Sequence, residues 1–199
     1  MTTDDAAPAP PELPTGSTRV TDPRAMRALA HPVRLRLLGE LRVRGPQSVG
    51  MLGELLDEPP GSVSYHVGVL ARHGFVLEAP ERARDRRERW WRAAARTTSF
   101  DPAEAHDDPE RRLAMDGLRR AVHDRYAALL EEHLAAEPAM PREWVAASTS
   151  GDEQLSLTLD QLVGLRHELH DLAHRWAARS DASAPGARRV SLVYHGLPW

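Results

Sequence analysis

From residue 22 onward, apolar positions recur at helical spacing, and proline and glycine interrupt them at intervals. Asp22-Pro23 reads as a helix start, with Asp as N-cap and Pro in the first turn. Met26, Leu29 and Ala30 mark one face of that helix. His31-Pro32 breaks it and opens the next. The second helix has Val33, Leu37, Leu38 and Leu41 as its apolar stripe, with Arg34, Glu40 and Arg42 placed outside, and Gly45-Pro46 ends it. Ser48 is positioned to cap a short third helix carrying Leu52, Leu55 and Leu56, and Asp57 to Pro59 form a tight turn. A fourth helix is predicted from about Pro60 to His73, with Gly74 as its stop.

After Gly74 the period changes. Phe75-Val76-Leu77 reads as one short strand and Trp90-Trp91 as another, around the charged run Glu81 to Arg89. Two apolar strands flanking such a run predict a β-hairpin with a basic tip. Helices followed by a hairpin in this order make a winged helix. Asp108-Pro109 repeats the helix-start signal, and a long helix is predicted to about Ala136 with Leu118, Val122, Tyr126, Leu129 and Leu130 apolar. Trp144 to Ala147, Gln154 to Leu157 and Val190 to Tyr194 read as short strands. Between them, Thr158 and Gln161 form a capping box for a helix reaching about Arg179. Its apolar residues Leu162, Leu165, Leu169, Leu172 and Trp176 are spaced 3, 4, 3, 4, a heptad seam.

The expected fold class is α+β, mainly α with small β: a winged helix-turn-helix followed by a mostly helical C-terminal domain with a few short strands. Residues 1–18, acidic and Pro-rich, read as a disordered tail. Residues 19–96 form the winged domain, 97–108 a linker, and 109–199 a C-terminal domain for dimerisation and effector binding. There is no cysteine, which removes disulfides and thiolate metal or nucleophile chemistry together. No apolar run is long enough to span a membrane, and the N-terminal segment lacks the plan of a signal peptide. A cytoplasmic protein is the expectation.

All 26 basic residues are arginine, a bias that fits a GC-rich bacterial genome. The net charge of −3 conceals an asymmetry: residues 19–96 hold 15 Arg and 9 acids, while 97–199 hold 11 Arg and 17 acids. The first region is the one suited to a polyanion.

The fourth helix carries the most specific pattern. Val63, Val67 and Leu70 face one way; Gly61, Tyr65, Gly68 and Arg72 face the other, flanked by Ser62, Ser64 and Val69. A helix entering a DNA major groove needs such a face, with small residues for close approach and hydroxyls for base edges and phosphates. Gly68 in mid-helix costs roughly 1 kcal/mol against Ala, which close approach of a partner would explain. The hairpin adds Arg82, Arg84, Arg86, Arg87, Arg89 and Arg92, a charge that DNA phosphate neutralises with release of counterions.

The stretches ALAHPVRLRLLGELRVRGPQSVGMLGELL, PGSVSYHVGVLARHGFV and RERWWRA, in this order, resemble the ArsR-type family of bacterial winged-helix regulators over about residues 22–95. The resemblance implies a homodimer on palindromic double-stranded DNA that represses or activates transcription in response to a signal. It implies that Ser62, Ser64, Tyr65 and His66 approach bases or nearby phosphates, and that Arg72, Arg82, Arg84, Arg86, Arg87 and Arg89 hold the backbone. Ser48 would cap its helix and touch phosphate. His66, at the edge of the core face, fits a structural histidine as well as a DNA contact. The thiolate metal sensors of that family have no counterpart here, since cysteine is lacking.

In the C-terminal half, His167, His170 and His174 line the side of the last helix opposite its seam, and His170 and His174 have the i, i+4 spacing that can chelate a metal. A solvated polar face explains them more simply. An effector pocket near Trp144, Trp176 and Tyr194 competes with their use as core residues. No cofactor is called for. A winged helix that binds protein instead of DNA is the main alternative, and six wing arginines argue against it. A hydrolase built on the histidine stripe lacks the HExxH pattern, a phosphate loop or a nucleophile elbow, so an enzyme is not expected.

Overall fold

The computed structural model describes residues 15–83 and 88–198. The chain divides into two compact units, one ending at Glu131 and the other beginning at Glu132.

The N-terminal unit begins with strand β1 (Ser17–Arg19) and helix α1 (Pro23–Leu29). Asp22 caps α1 as predicted, its carboxylate accepting from the Arg24 N–H at 2.9 Å. Helix α2 (Pro32–Arg44) follows, then the two-residue strand β2 (Gln47–Ser48) and helix α3 (Val49–Leu56). Ser48 caps α3 by accepting from the Met51 N–H at 3.3 Å. Asp57 takes the left-handed conformation with φ 55°, and the turn leads into helix α4 (Pro60–Arg72). Gly53 is required at this turn, because a Cβ there would lie 2.9 Å from the Glu58 carbonyl oxygen. Gly74, with φ +73°, ends α4 in a backbone region that side chains rarely adopt.

The hairpin strands are β3 (Val76–Glu78) and β4 (Trp90–Ala93), antiparallel, with Val76 opposite Ala93 and Glu78 opposite Trp91. A short 3₁₀ turn at Pro80–Arg82 follows β3. Strand β2, which the sequence did not predict, pairs with β4 on its other side, so the sheet order is β2-β4-β3. Two-residue strands have no readable period, and β2 exists because Trp90 and Trp91 present a partner edge.

A second small sheet joins β1 to β5 (Thr97–Ser99) in parallel. The segment 97–108, which composition suggested as a linker, is therefore held on the domain: Phe100 packs on the core and Ala105 lies within it. Helix α5 (Pro109–Ala136) then buries Ala114, Met115 and Leu118 in the same core.

That core joins α2 (Leu37, Leu38, Leu41) to α4 (Val63, Val67, Leu70), with Leu52, Phe75, Val76 and Trp91 around them. Arg34 and Arg42, placed outside α2 by periodicity, are instead half-buried. The Arg34 guanidinium donates to the Ala28 carbonyl, and Arg36 donates to the Leu56 carbonyl at 3.2 Å, so α2 satisfies the C-terminal ends of both α1 and α3. Arg42 donates to the Ala95 carbonyl at 3.0 Å and to Thr98 Oγ1 at 2.6 Å. Burial lowers its pKa to about 10, so it stays charged at neutral pH.

In the C-terminal unit, helix α6 (Arg142–Ala147) and helix α7 (Leu159–Arg179) are the regular elements. The predicted capping box is present: Thr158 Oγ1 accepts from the Gln161 N–H, and Gln161 Oε1 accepts from the Thr158 N–H. The three predicted C-terminal strands are corrected. Trp144 to Ala147 is helical, and Gln154 to Leu157 and Val190 to Tyr194 form no regular element. Ala146 and Ala147 favour helix, and an apolar run without a neighbouring edge to pair with does not make a sheet. Among the described residues, none beyond Leu118 is buried.

Truncating the fully buried Leu41 to Ala is expected to lower unfolding free energy by about 3 kcal/mol, read from denaturant titration of the full chain.

Candidate nucleic-acid interface

The rotation of α4 follows from its burial pattern. With Val63, Val67 and Leu70 fully buried, the opposite side must meet solvent. Ser64 and Arg72 are exposed there, and Tyr65 is 64% exposed, a large aromatic ring left in water. Val69, expected to flank this face, is buried. Ser62 is half-buried and donates its hydroxyl to the Glu58 carboxylate at 3.0 Å, which ties the start of α4 to the turn before it.

The two glycines of this face have no packing reason to be there. A Cβ at Gly61 or at Gly68 would meet nothing within 4 Å. Gly53, by contrast, is required by the adjacent backbone. The helix therefore gives up stability at Gly68 without gaining any contact inside the chain.

Ser48 is buried as the cap of α3 and as a member of β2. Its hydroxyl already accepts from α3. Beside it, the Val49 N–H donates to the Arg89 carbonyl at 3.3 Å, joining the helix-turn-helix to the base of the wing. Arg89 is exposed, but its guanidinium pairs with Glu78 at 3.0 Å and lies 4.8 Å over the Trp91 ring. It braces the wing, and much of its charge is compensated. Arg82 is exposed at the 3₁₀ turn, and Arg92 is exposed opposite Leu77. Arg84, Arg86 and Arg87, the predicted basic tip, lie outside the described residues.

His66 is half-buried and not on the outer face. Its ring lies 4.6 Å from that of His31, and Tyr65 meets it edge-on at 5.1 Å. Burial, and then the nearby Arg34 cation, push the His66 pKa down, and the same two causes act on His31. The sequence reading missed His31. Its signal was weak: a histidine before proline, in an N-cap position where Ser, Thr, Asp or Asn is usual.

His167, His170 and His174 are all exposed on α7, and His170 makes a ring contact with Tyr194 at 5.9 Å. Among the described residues, no group of three His, Cys, Asp or Glu side chains is placed to hold a metal ion. Trp144 and Trp176 carry Arg188 and Arg179 over their rings at 5.1 and 4.4 Å. No helix among the described residues is long and apolar enough to cross a membrane.

A helix pair joined by a tight turn, with α4 presented outward and a three-stranded wing beside it, defines the N-terminal unit as a winged helix-turn-helix. Residues 29–79 match a family model described as a helix-turn-helix domain. A crystal structure of an ArsR family transcriptional regulator is similar at 22% identity, covering 54% of this chain and 84% of that one, with a TM-score of 0.30. No curated protein matches the sequence.

Because Gly68 meets nothing inside the chain, Gly68→Ala is expected to stabilise the fold by about 1 kcal/mol through helix propensity, measured by thermal or denaturant unfolding without DNA.

Proposed function

We propose that this chain is a sequence-specific DNA-binding transcriptional regulator that acts as a homodimer on a palindromic operator. The observation that carries the reading is the outer face of α4. It presents Gly61, Ser64, Tyr65, Gly68 and Arg72, and nothing in the chain's own packing accounts for the two glycines. A duplex groove does account for them. Small residues let the helix backbone come close, while Ser64, Tyr65 and Arg72 reach base edges and phosphates. Ser62 and His66 act from the flank. Ser48 serves the site by fixing the start of α3. The wing arginines Arg82, Arg84, Arg86 and Arg87 contribute phosphate contacts, and Arg89 chiefly positions them.

A dimer is supported by apolar surface that one chain leaves in water. Leu130 and Leu134 on α5, and Leu172 and Trp176 on α7, are all exposed. Large side chains at helical spacing on water mark an association surface. A two-fold dimer would place two α4 helices in successive major grooves, and an effector bound to the C-terminal half would change their spacing or tilt. The protein is read as a binding protein of the cytoplasm and not as an enzyme.

The test is binding to the duplex immediately upstream of the protein's own coding sequence, against unrelated duplex of equal length, at two salt concentrations. Tighter binding to the upstream duplex, weakening steeply with salt, is the expected result. The triple change Arg84→Ala, Arg86→Ala and Arg87→Ala should reduce the salt slope by about 2 to 3. Gly68→Ala should weaken binding about tenfold, roughly 1.4 kcal/mol, even as it stabilises the fold. Equal, weak binding to both duplexes would refute sequence specificity at that site, and no binding at low salt would favour a protein partner.

A further inference from the structure

Two half-buried imidazoles meet in the winged domain, one from the start of α2 and one from α4. His31 sits at the N-cap of α2 but makes no capping bond. Its ring turns instead to His66, halfway along α4, at a centroid separation of 4.6 Å and a tilt of 40°. The Nδ1 atoms of both rings are shut off from solvent and have no hydrogen-bond partner among the described residues.

That geometry selects one protonation state. A neutral imidazole leaves one nitrogen without a proton, whereas the cation carries N–H on both. An Nδ1 buried without an acceptor is tolerable bare. Protonated, it becomes an unpaired donor on a charged ring, which is much more costly. The groups around the pair reinforce the choice. Arg34 from α2 repels a cation on either ring; Glu58, in the turn before α4, favours one and is the opposing charge; Tyr65 adds a neutral edge. Burial is the largest influence on both rings and acts in the same direction as Arg34.

We propose that the His31–His66 pair is a proton-sensitive latch on the recognition helix. With both rings neutral, the junction of α1 and α2 braces α4 at its midpoint, beside Tyr65. Uptake of a proton breaks the ring contact, because the new N–H needs water, and α4 loses its brace. His31 is a positioning residue in this scheme and acts on DNA through His66. The proposal rests on the DNA-binding reading given above.

The direction distinguishes the latch from ordinary charge effects. A histidine that merely faced phosphate would strengthen DNA binding as it became charged, and so would any general gain of positive charge. The latch weakens binding on acidification. The same sign follows for stability. Both folded-state pKa values are lowered, so the unfolded chain takes up protons first, and stability present above the ordinary histidine value of 6.5 is lost as pH falls below it toward the lowered values.

The experiment uses the full-length chain and the upstream duplex at constant ionic strength, at about pH 7.5 and about pH 5.5, the range in which histidine titrates. About tenfold weaker binding at the lower pH is expected. His31→Phe keeps a ring against His66 without a titrating group. It should bind as wild type at the higher pH and show a smaller acid effect, since His66 alone still titrates. Histidine side-chain NMR without DNA should show the His31 and His66 rings titrating below 6.5; should His31→Phe fail to fold, this titration and His31→Gln decide the matter. Binding that is unchanged or tighter in acid, an undiminished acid effect in the variant, or rings titrating at or above 6.5 would each overturn the latch while leaving the DNA reading standing. Absence of binding at both pH values would instead remove the DNA reading, and the latch with it.

Discussion

Everything the N-terminal unit presents to its surroundings depends on the burial of one apolar seam, Leu37, Leu38 and Leu41 of α2 with Val63, Val67 and Leu70 of α4. A helix has one rotation that puts a given stripe inside, and this stripe leaves no choice for the rest. Once Val67 is inside, Tyr65 and Ser64 are outside and His66 lies between. The hydrophobic term is non-directional, but its periodicity along α4 converts it into an orientation. Gly53 then lets α3 and the turn approach closely enough for α4 to leave at the observed angle.

Arginine does two different jobs in a chain without lysine. On the wing and at the end of α4, the guanidinium groups of Arg72, Arg82 and Arg92 are exposed. On α2 they turn inward. Arg34, Arg36 and Arg42 donate to the carbonyls of Ala28, Leu56 and Ala95, which α1, α3 and the entry to β5 would otherwise leave unsatisfied. A planar fork with five donors suits this task, and a single ammonium group would serve it less well. The scaffold under α4 is thus bound together by the same residue type that stands exposed on its outer side.

The C-terminal unit follows a different balance. Its helix α7 is well capped, yet the heptad seam is only half covered, with Leu172 and Trp176 in water. Helix capping settles where a helix begins, and burial settles what it is stable against. Here the first is complete within α7 and the second is only partial.

The sequence by itself determined the helix-turn-helix and most of its boundaries, because those rest on local signals: Asp22 and Ser48 as caps, Pro32 and Pro60 in first turns, Gly74 as a stop. It also determined the inward stripe of α4 and most of its outer face, Val69 excepted, since helical period needs no knowledge of the partner. Tertiary structure decided the rest. The pairing of β2 with β4, the parallel joining of β1 to β5 across nearly eighty residues, and the failure of Val190 to Tyr194 to become a strand all depend on whether an edge is available, which no local pattern encodes. Likewise the meeting of His31 with His66, and the inward turn of Arg34 and Arg42, arise where separate helices cross. A side chain at the margin of a stripe acquires its environment only from the element packed against it.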